Sequence, residues 1–173
     1  MSRQLDTEEL FERQKKHLTA CKHSVGPVVI AENIHTPDNM AAILRVAEAA
    51  GSKRVIFINE KQLVISKKMA RIARGANKYL QVEFCDLESF EELCLELPEL
   101  IALEITSESA NLLETTLLSN MCFVIGNERY GISANLLALC RNSVHIPMYG
   151  INGSMNVSHA LAIALFEWRR QTS

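Results

Sequence analysis

The sequence lacks the features that define several large classes of protein. Its five cysteines form no C-x-x-C pair and have no matching histidine cluster. A disulfide framework or a zinc site is therefore not expected, and the reducing cytoplasm is the expected location. The longest apolar run, residues 160–166, is far shorter than the roughly 20 residues that a membrane span needs. The first 17 residues also lack the apolar core of a signal peptide, so we expect a soluble intracellular protein.

Basic residues are absent from a long stretch of the chain. No Lys or Arg occurs between Tyr79 and Glu128, although the formal net charge of the whole sequence is only −2. Residues 1–78 hold 14 Lys and Arg against 8 Asp and Glu, whereas residues 79–173 hold 4 against 12. A surface formed by residues 1–78 would therefore attract a phosphate-rich ligand more strongly than one formed by residues 79–173.

The composition is that of one globular domain. The chain has 173 residues, of which 48% are hydrophobic and 22% charged, so a sizeable core can form. It shows no linker, repeat or low-complexity segment. We therefore expect residues 1–173 to form a single domain, with residues 1–26 as an N-terminal helical extension.

Short apolar segments alternate with helical patterns along the chain. The predicted strands are 27–32, 54–58, 80–84, 100–106, 121–126 and 143–147. The predicted helices are 7–18, 37–50, 66–74, 87–97, 133–140 and 156–171. This alternation of apolar strands with helices is typical of an α/β fold with a mostly parallel sheet and helices on both faces.

The last predicted helix is apolar on more than one side. Ala162, Ile163 and Phe166 lie off the stripe that would face the core. Two interpretations remain open: the helix passes through the core of its own domain, or its second apolar side forms a homodimer interface.

Residues 126–133 form a glycine-bounded loop between a predicted strand and a predicted helix. The segment GNERYGIS fits G-x-x-x-x-G-x-S, but Ile132 occupies the position of the Walker lysine. A nucleotide hydrolase is therefore disfavoured. What remains is a turn at the carboxyl end of a strand, where α/β sheets bind ligands, or a plain connection.

Two further segments carry polar residues at strand-to-helix connections. Asn33, Asn39 and Arg45 are spaced at intervals of six residues, and Arg45 could either reach the mouth of the connection or be a solvated surface charge. Ser154 and Asn156 precede the last helix, where they could serve a site or simply cap that helix.

Together the three segments resemble the motifs of the SpoU family of RNA ribose 2′-O-methyltransferases, in its TrmH-like branch. The matching patterns are N-x₅-N-x₅-R, G-N-E-x-x-G after a strand, and I-P-M-x-G-x-x-x-S-M-N-V-S-x-A. The resemblance covers residues 28–171. It implies a knotted α/β domain, S-adenosylmethionine as the methyl donor, transfer to a ribose 2′-hydroxyl of tRNA or rRNA, and a homodimer that forms through the C-terminal helix.

The resemblance also implies which residues form the site, and it implies no metal. By motif, the catalytic centre is expected at Asn39, Arg45, Glu128, Ser154 and Asn156. Cofactor contacts are expected at Thr106, Gly126, Ile146 and Met155. A guanidinium is a poor base, so our hypothesis is that Arg45 grips the substrate phosphate and polarises the hydroxyl, while the phosphate or a transiently neutral Arg45 takes the proton.

A stripe of basic residues is the expected surface for RNA, together with Arg45. Its members recur with helical spacing, provided that the helix continues past Gly75, and are Lys67, Arg71, Arg74 and Lys78. Lys15, Lys16 and Lys22 would add positive charge near the N-terminus. A solvated basic face is the alternative.

Two other functions remain open. A non-catalytic RNA-binding or assembly protein could retain the same fold, and the methyl group could go to a base rather than to ribose. We also expect no separate RNA-binding domain, so the single domain and its dimer partner would select the RNA.

Overall fold

The structure is a computed structural model that describes residues 3–20, 25–59 and 67–173. Lys22, which the sequence suggested as part of a basic surface, lies outside these residues. No helix among the described residues is both long enough and apolar enough to cross a membrane.

The centre of the fold is a parallel sheet, and the described residues contribute seven strands to it. The strands are Val28–Glu32 (β1), Arg54–Ile58 (β2), Gln81–Cys85 (β3), Leu100–Leu103 (β4), Ala110–Asn111 (β5), Cys122–Ile125 (β6) and Asn142–His145 (β7). Their order is β3-β2-β1-β6-β4-β7-β5, and every pairing of neighbours is parallel. The predicted mostly parallel α/β sheet is thus confirmed. The two-residue β5 was not predicted.

Helices connect the strands. They are Thr7–Ala20 (α1), Pro37–Ala49 (α2), Lys67–Ile72 (α3), Leu87–Leu93 (α4), Ala134–Leu139 (α5) and Val157–Thr172 (α6). The predicted helix 87–97 is too long, because α4 ends at Leu93 and the chain continues as a short 3₁₀ segment, Cys94–Glu96.

Both faces of the sheet are covered, because alternate residues of each buried strand point to opposite sides. On one face, Val29 and Phe123 pack in a cluster with residues of α2, α3 and α6. On the other, Ile30 and Val124 pack with Phe90 of α4 and Leu136 of α5. The expected covering of both faces is confirmed, while the trefoil knot that the resemblance implies stays a prediction.

The bounds of α2 follow from its sequence. The Thr36 hydroxyl accepts a hydrogen bond from the backbone N–H of Asn39 at 3.3 Å, and Pro37 occupies the first helical position. At the other end, Gly51 takes a φ of +81°, which favours glycine. These bounds place Asn39 in the first turn, beside the carboxyl end of β1.

The basic stripe is not one continuous helix, so the prediction of a helix through Arg74 is wrong. The α-helix stops at Ile72, because Arg74 and Gly75 both have positive φ, +49° and +82°. A 3₁₀ segment, Ala76–Lys78, follows. The four basic residues Lys67, Arg71, Arg74 and Lys78 are nevertheless all exposed.

Helix α6 does not pass through the core. Its inner face is buried through Leu161, Leu165 and Trp168, whereas Ile163 and Phe166 are exposed in the single chain. The interpretation of a helix surrounded by its own domain is therefore wrong, and the outer apolar face needs a different explanation.

Candidate functional site

A cavity of about 260 Å³ opens at the carboxyl ends of β4, β6 and β7. Its walls come from three connections: the segment after β4, the loop after β6, and the segment between β7 and α6. The lining combines apolar side chains with polar groups and includes Ile105, Gly126, Asn127, Glu128, His145, Ile146, Met148, Ser154, Met155 and Val157. This is the edge at which parallel sheets bind ligands.

The loop after β6 folds tightly back on itself. Asn127 and Gly131 exchange two backbone hydrogen bonds, of 3.0 and 2.9 Å. A Cβ atom on Gly126 would overlap the backbone of Gly131 and Ile132, so glycine is required there by this close approach. The glycine that the resemblance assigned to cofactor contact therefore also has a structural task in shaping one wall of the cavity.

Asn127 holds this loop in place, although it was not among the site residues expected from the sequence. Its Oδ1 accepts hydrogen bonds from the backbone N–H groups of Arg129 and Tyr130 at 2.9 and 3.0 Å. Its Nδ2 donates to the backbone carbonyl of Asn33 at 2.8 Å. An Asn directly after a strand-ending glycine is a signal for a turn of this kind, and that signal could have identified it.

Two carboxylates brace the far side of the loop. The buried Glu32 accepts hydrogen bonds from the backbone N–H and the hydroxyl of Ser133 at 2.7 and 2.6 Å. Glu104, which lines the cavity, accepts from the backbone N–H of Ile132 at 3.2 Å. Because these acceptors satisfy backbone groups directly after the loop, the wall of the cavity is fixed from both sides.

Asn39 connects the three sequence motifs. Its Nδ2 donates a short hydrogen bond to Glu128, and its Oδ1 accepts one from Asn156 Nδ2 at 3.0 Å. The Asn156 Oδ1 in turn accepts from the backbone N–H and hydroxyl of Ser158, at 2.9 and 2.7 Å, and caps α6. One amide thus links the start of α2, the loop after β6 and the start of α6.

The structure brings most of the expected site residues together. Glu128, Ser154, Gly126, Ile146 and Met155 line the cavity. Asn39 and Asn156 lie beside it through their bonds to each other and to Glu128.

Two expected residues lie apart from the cavity lining. Thr106 does not line the cavity, and its hydroxyl is within 2.8 Å of the Ser143 hydroxyl. Arg45 is exposed on α2 and does not line the cavity, and its side chain has no hydrogen bond or ion pair to the described part of the chain.

The described residues offer neither a reactive thiol nor a metal site. Burial raises the pKa of Cys85 and Cys94, and raises that of Cys122 and Cys140 to about 12. These four thiols are therefore protonated near neutral pH and are poor nucleophiles. Across residues 3–20, 25–59 and 67–173, no group of three or more His, Cys, Asp or Glu side chains could hold a metal ion. What the site offers is hydrogen bonding, shape and exposed charge.

Known proteins resemble this chain in sequence. The SpoU rRNA Methylase family profile matches residues 26–166. A tRNA (guanosine(18)-2′-O)-methyltransferase of Escherichia coli K12 is 29% identical over 165 residues, which are 94% of this chain and 67% of that enzyme. The enzyme of the same name from Thermus thermophilus is 31% identical over 166 residues, which are 95% of this chain and 80% of that enzyme.

Solved structures show the same fold. The A. aeolicus TrmH/SpoU tRNA modifying enzyme superimposes with a TM-score of 0.76 and 28% identity, covering 94% of this chain and 84% of that one. An RNA 2′-O ribose methyltransferase superimposes with the same TM-score and 27% identity, covering 86% of this chain and 57% of the other. The present chain therefore spans little more than half the length of the latter protein.

Proposed function

Because the chain belongs to the SpoU rRNA methylase family, we propose that it transfers a methyl group from S-adenosylmethionine to a ribose 2′-hydroxyl of tRNA or rRNA. The observation that carries this proposal is the hydrogen-bonded connection of Glu128, Asn39 and Asn156 beside the cavity. Three segments far apart in the sequence meet there through side chains of the types that the family motifs require.

The lining of the cavity suits S-adenosylmethionine in its chemistry. The cavity volume of about 260 Å³ lies just below the usual range of ligand clefts, about 300–1,000 Å³. Ile105, Ile146 and Met155 offer apolar surface for a purine ring, while the carboxylates of Glu104 and Glu128 suit a ligand that carries positive charge. When bound, this cofactor supplies an electrophilic methyl group with its own leaving group, so no metal is needed.

The chain's own residues align the substrate hydroxyl with the methyl group of the cofactor. Asn39 and Asn156 fix the position of Glu128 at the wall of the cavity, and Ser154 lies in the same wall with its side chain exposed to an incoming substrate. Holding a hydroxyl in line with a methyl group removes the entropy cost of that encounter, a contribution of up to about 7–11 kcal/mol in model reactions.

Arg45 is proposed to grip a phosphate of the substrate and to polarise the 2′-hydroxyl, whose proton passes to that phosphate or to a transiently neutral Arg45 as the oxygen takes the methyl group. It lies six residues after Asn39 on α2, about 9 Å farther along the helix axis, and helical side chains lean towards the N-terminus. Its exposure and its lack of a partner among the described residues leave the guanidinium available to RNA. The planar guanidinium can form two hydrogen bonds with a phosphate, which an ammonium cannot do in the same geometry.

RNA is proposed to bind across the basic segment, residues 67–78, with Arg45 beside it. Lys67, Arg71, Arg74 and Lys78 are exposed, and Lys68 pairs with Asp38 of α2 at 3.2 Å. That ion pair joins the basic segment to the helix that carries Asn39 and Arg45, so both can face one ligand.

A homodimer through α6 is proposed because the outer face of this helix exposes Ile163 and Phe166. Exposed apolar side chains on an ordered helix favour a partner surface, and a two-fold axis would place the same face on both subunits.

The single-domain organisation of residues 1–173 and a cytoplasmic location also stay predictions.

The test is methyl transfer from radiolabelled S-adenosylmethionine to bulk tRNA and to rRNA, with the methylated nucleosides identified by mass spectrometry. We expect label in a 2′-O-methylnucleoside. A base-methylated product would favour the alternative of base methylation, and RNA binding without any transfer would favour the non-catalytic alternative.

Arg45→Lys tests the proposed task of the guanidinium. Because charge is kept and the planar fork is lost, the single-turnover rate should fall at least tenfold while cofactor affinity is unchanged. Arg13→Lys, at an exposed position of α1, is the matched control and should behave as wild type. A wild-type rate in Arg45→Lys would contradict this assignment.

A further inference from the structure

A second cavity, of about 270 Å³, lies on the other side of the loop after β6. It is lined by Glu32, Asn33, His35, Asn127, Tyr130, Gly131 and Ser133. Asn127 and Gly131 also line the first cavity, so the loop is the common wall of both. A ligand in the second cavity would therefore lie next to the proposed transfer site.

Tyr130 stands at the rim of this cavity with its ring exposed. Although 79% of the residue is accessible, its backbone N–H is fixed by the hydrogen bond to Asn127 Oδ1 at 3.0 Å. The guanidinium of Arg129 lies 5.4 Å from the centre of the ring. The fold buries little of this residue, so the ring face opposite Arg129 is available to a ligand.

The lining of the second cavity presents polar side chains that form no hydrogen bond within the described fold. The side chains of Asn33 and His35 form no hydrogen bond within the described ranges of the chain, and both line the cavity. Asn33 has a φ of +52°, a left-handed conformation that Asn adopts more readily than most residues with a side chain. Its carbonyl is held there by the donor Asn127 Nδ2 at 2.8 Å.

We propose that Tyr130 is a stacking platform for an unpaired RNA base, whose edge lies over Asn33 and His35. Single-stranded bases are typically bound by stacking on aromatic rings and by hydrogen bonds to their edges. Tyr130 follows Glu128 by two residues, which keeps their Cα atoms within about 7 Å. A base on Tyr130 therefore places a neighbouring ribose at the wall of the first cavity. This inference rests on the proposed function, since it assumes that the ligand is RNA.

The test compares two labelled ten-nucleotide RNA strands, oligo(A) and a fully abasic strand of the same length. Stacking on an aromatic side chain contributes enough per base that wild type should bind oligo(A) about fivefold more tightly or better. Tyr130→Leu keeps an apolar side chain without a ring and should lose this preference. Tyr130→Phe keeps the ring and should retain it.

Three results would overturn the proposal: no preference for oligo(A) in wild type, an unchanged preference in Tyr130→Leu, or a lost preference in Tyr130→Phe. Wild-type S-adenosylmethionine affinity in Tyr130→Leu is the control that shows an intact loop. Methyl-transfer assays separate this inference from the proposed function. If Tyr130→Leu transfers methyl groups with a wild-type KM for RNA, the stacking inference is contradicted while the proposed function stands. If the wild-type protein binds RNA in a base-dependent way but transfers no methyl group, the proposed function is contradicted while the stacking inference stands.

Discussion

At the scale of single residues, Asn156 performs two tasks with the two ends of one amide. Its Oδ1 caps α6 and its Nδ2 donates to Asn39. Asn156→Asp keeps the acceptor, and Asp is as good an N-cap as Asn, but the donor to Asn39 is lost. We expect the melting temperature to stay near the wild-type value while methyl transfer falls at least tenfold.

Asn156→Ala is the matched comparison, because it removes both the cap and the bond to Asn39. We expect it to lower the free energy of unfolding by about 1 kcal/mol as well as reducing transfer. Chemical denaturation together with single-turnover assays would separate the two effects. Equal stability losses in both variants would contradict the division of tasks.

Gly126 offers a second prediction at this scale. In Gly126→Ala the new Cβ meets the backbone of Gly131 and Ile132, and a clash with backbone cannot be relieved by rotating a side chain. We expect a loss of about 3 kcal/mol in the free energy of unfolding and no measurable cofactor binding by calorimetry. Gly150→Ala, where nothing lies within 4 Å of the new atom, should leave stability unchanged.

The sequence motifs predicted which side chains belong to the site better than they predicted the hydrogen bonds between those side chains. The motifs marked Asn39, Glu128 and Asn156, but their spacing along the chain says nothing about which pairs meet. Asn127 was overlooked, because its importance comes from partners in the backbone of its own loop and of Asn33, and such bonds exist only once the loop has folded.

At the scale of elements, the short helix α3 and the turn after it carry the basic surface. Charge reversal at Lys67 and Arg71 should weaken RNA binding and lower the slope of log K against log salt by about 0.7–0.9 for each phosphate that the variant no longer neutralises. Cofactor affinity should not change. Lys53→Glu, an exposed charge before the amino end of β2, is the control. An unchanged salt slope in the double variant would exclude this surface.

The elements themselves were largely predictable, and their ends were less so. Continuous apolar runs marked the buried strands, and Thr36, Pro37 and Gly51 marked the ends of α2 because capping is local chemistry. The helix at residues 66–74 was overestimated, since the left-handed turn at Arg74 has no signal apart from Gly75. The strand order could not be predicted, because it depends on contacts between distant segments.

At the scale of the whole molecule, the exposed outer face of α6 predicts an assembly. Replacing both Ile163 and Phe166 by Glu should convert a dimer into a monomer, because two like charges would meet across a two-fold axis. Sedimentation velocity would measure the change, and Leu95→Glu, at another highly exposed apolar position, is the control. A wild-type chain that sediments as a monomer would contradict the proposed dimer.

The bonds of Asn39 reach across 89 residues to Glu128 and across 117 to Asn156. During synthesis, a chain released up to α5 would already contain most of its sheet but would lack one of the three members of this connection. The connection would thus be completed late in synthesis, when α6 docks. Chains that lack α6 would not methylate the RNA around them.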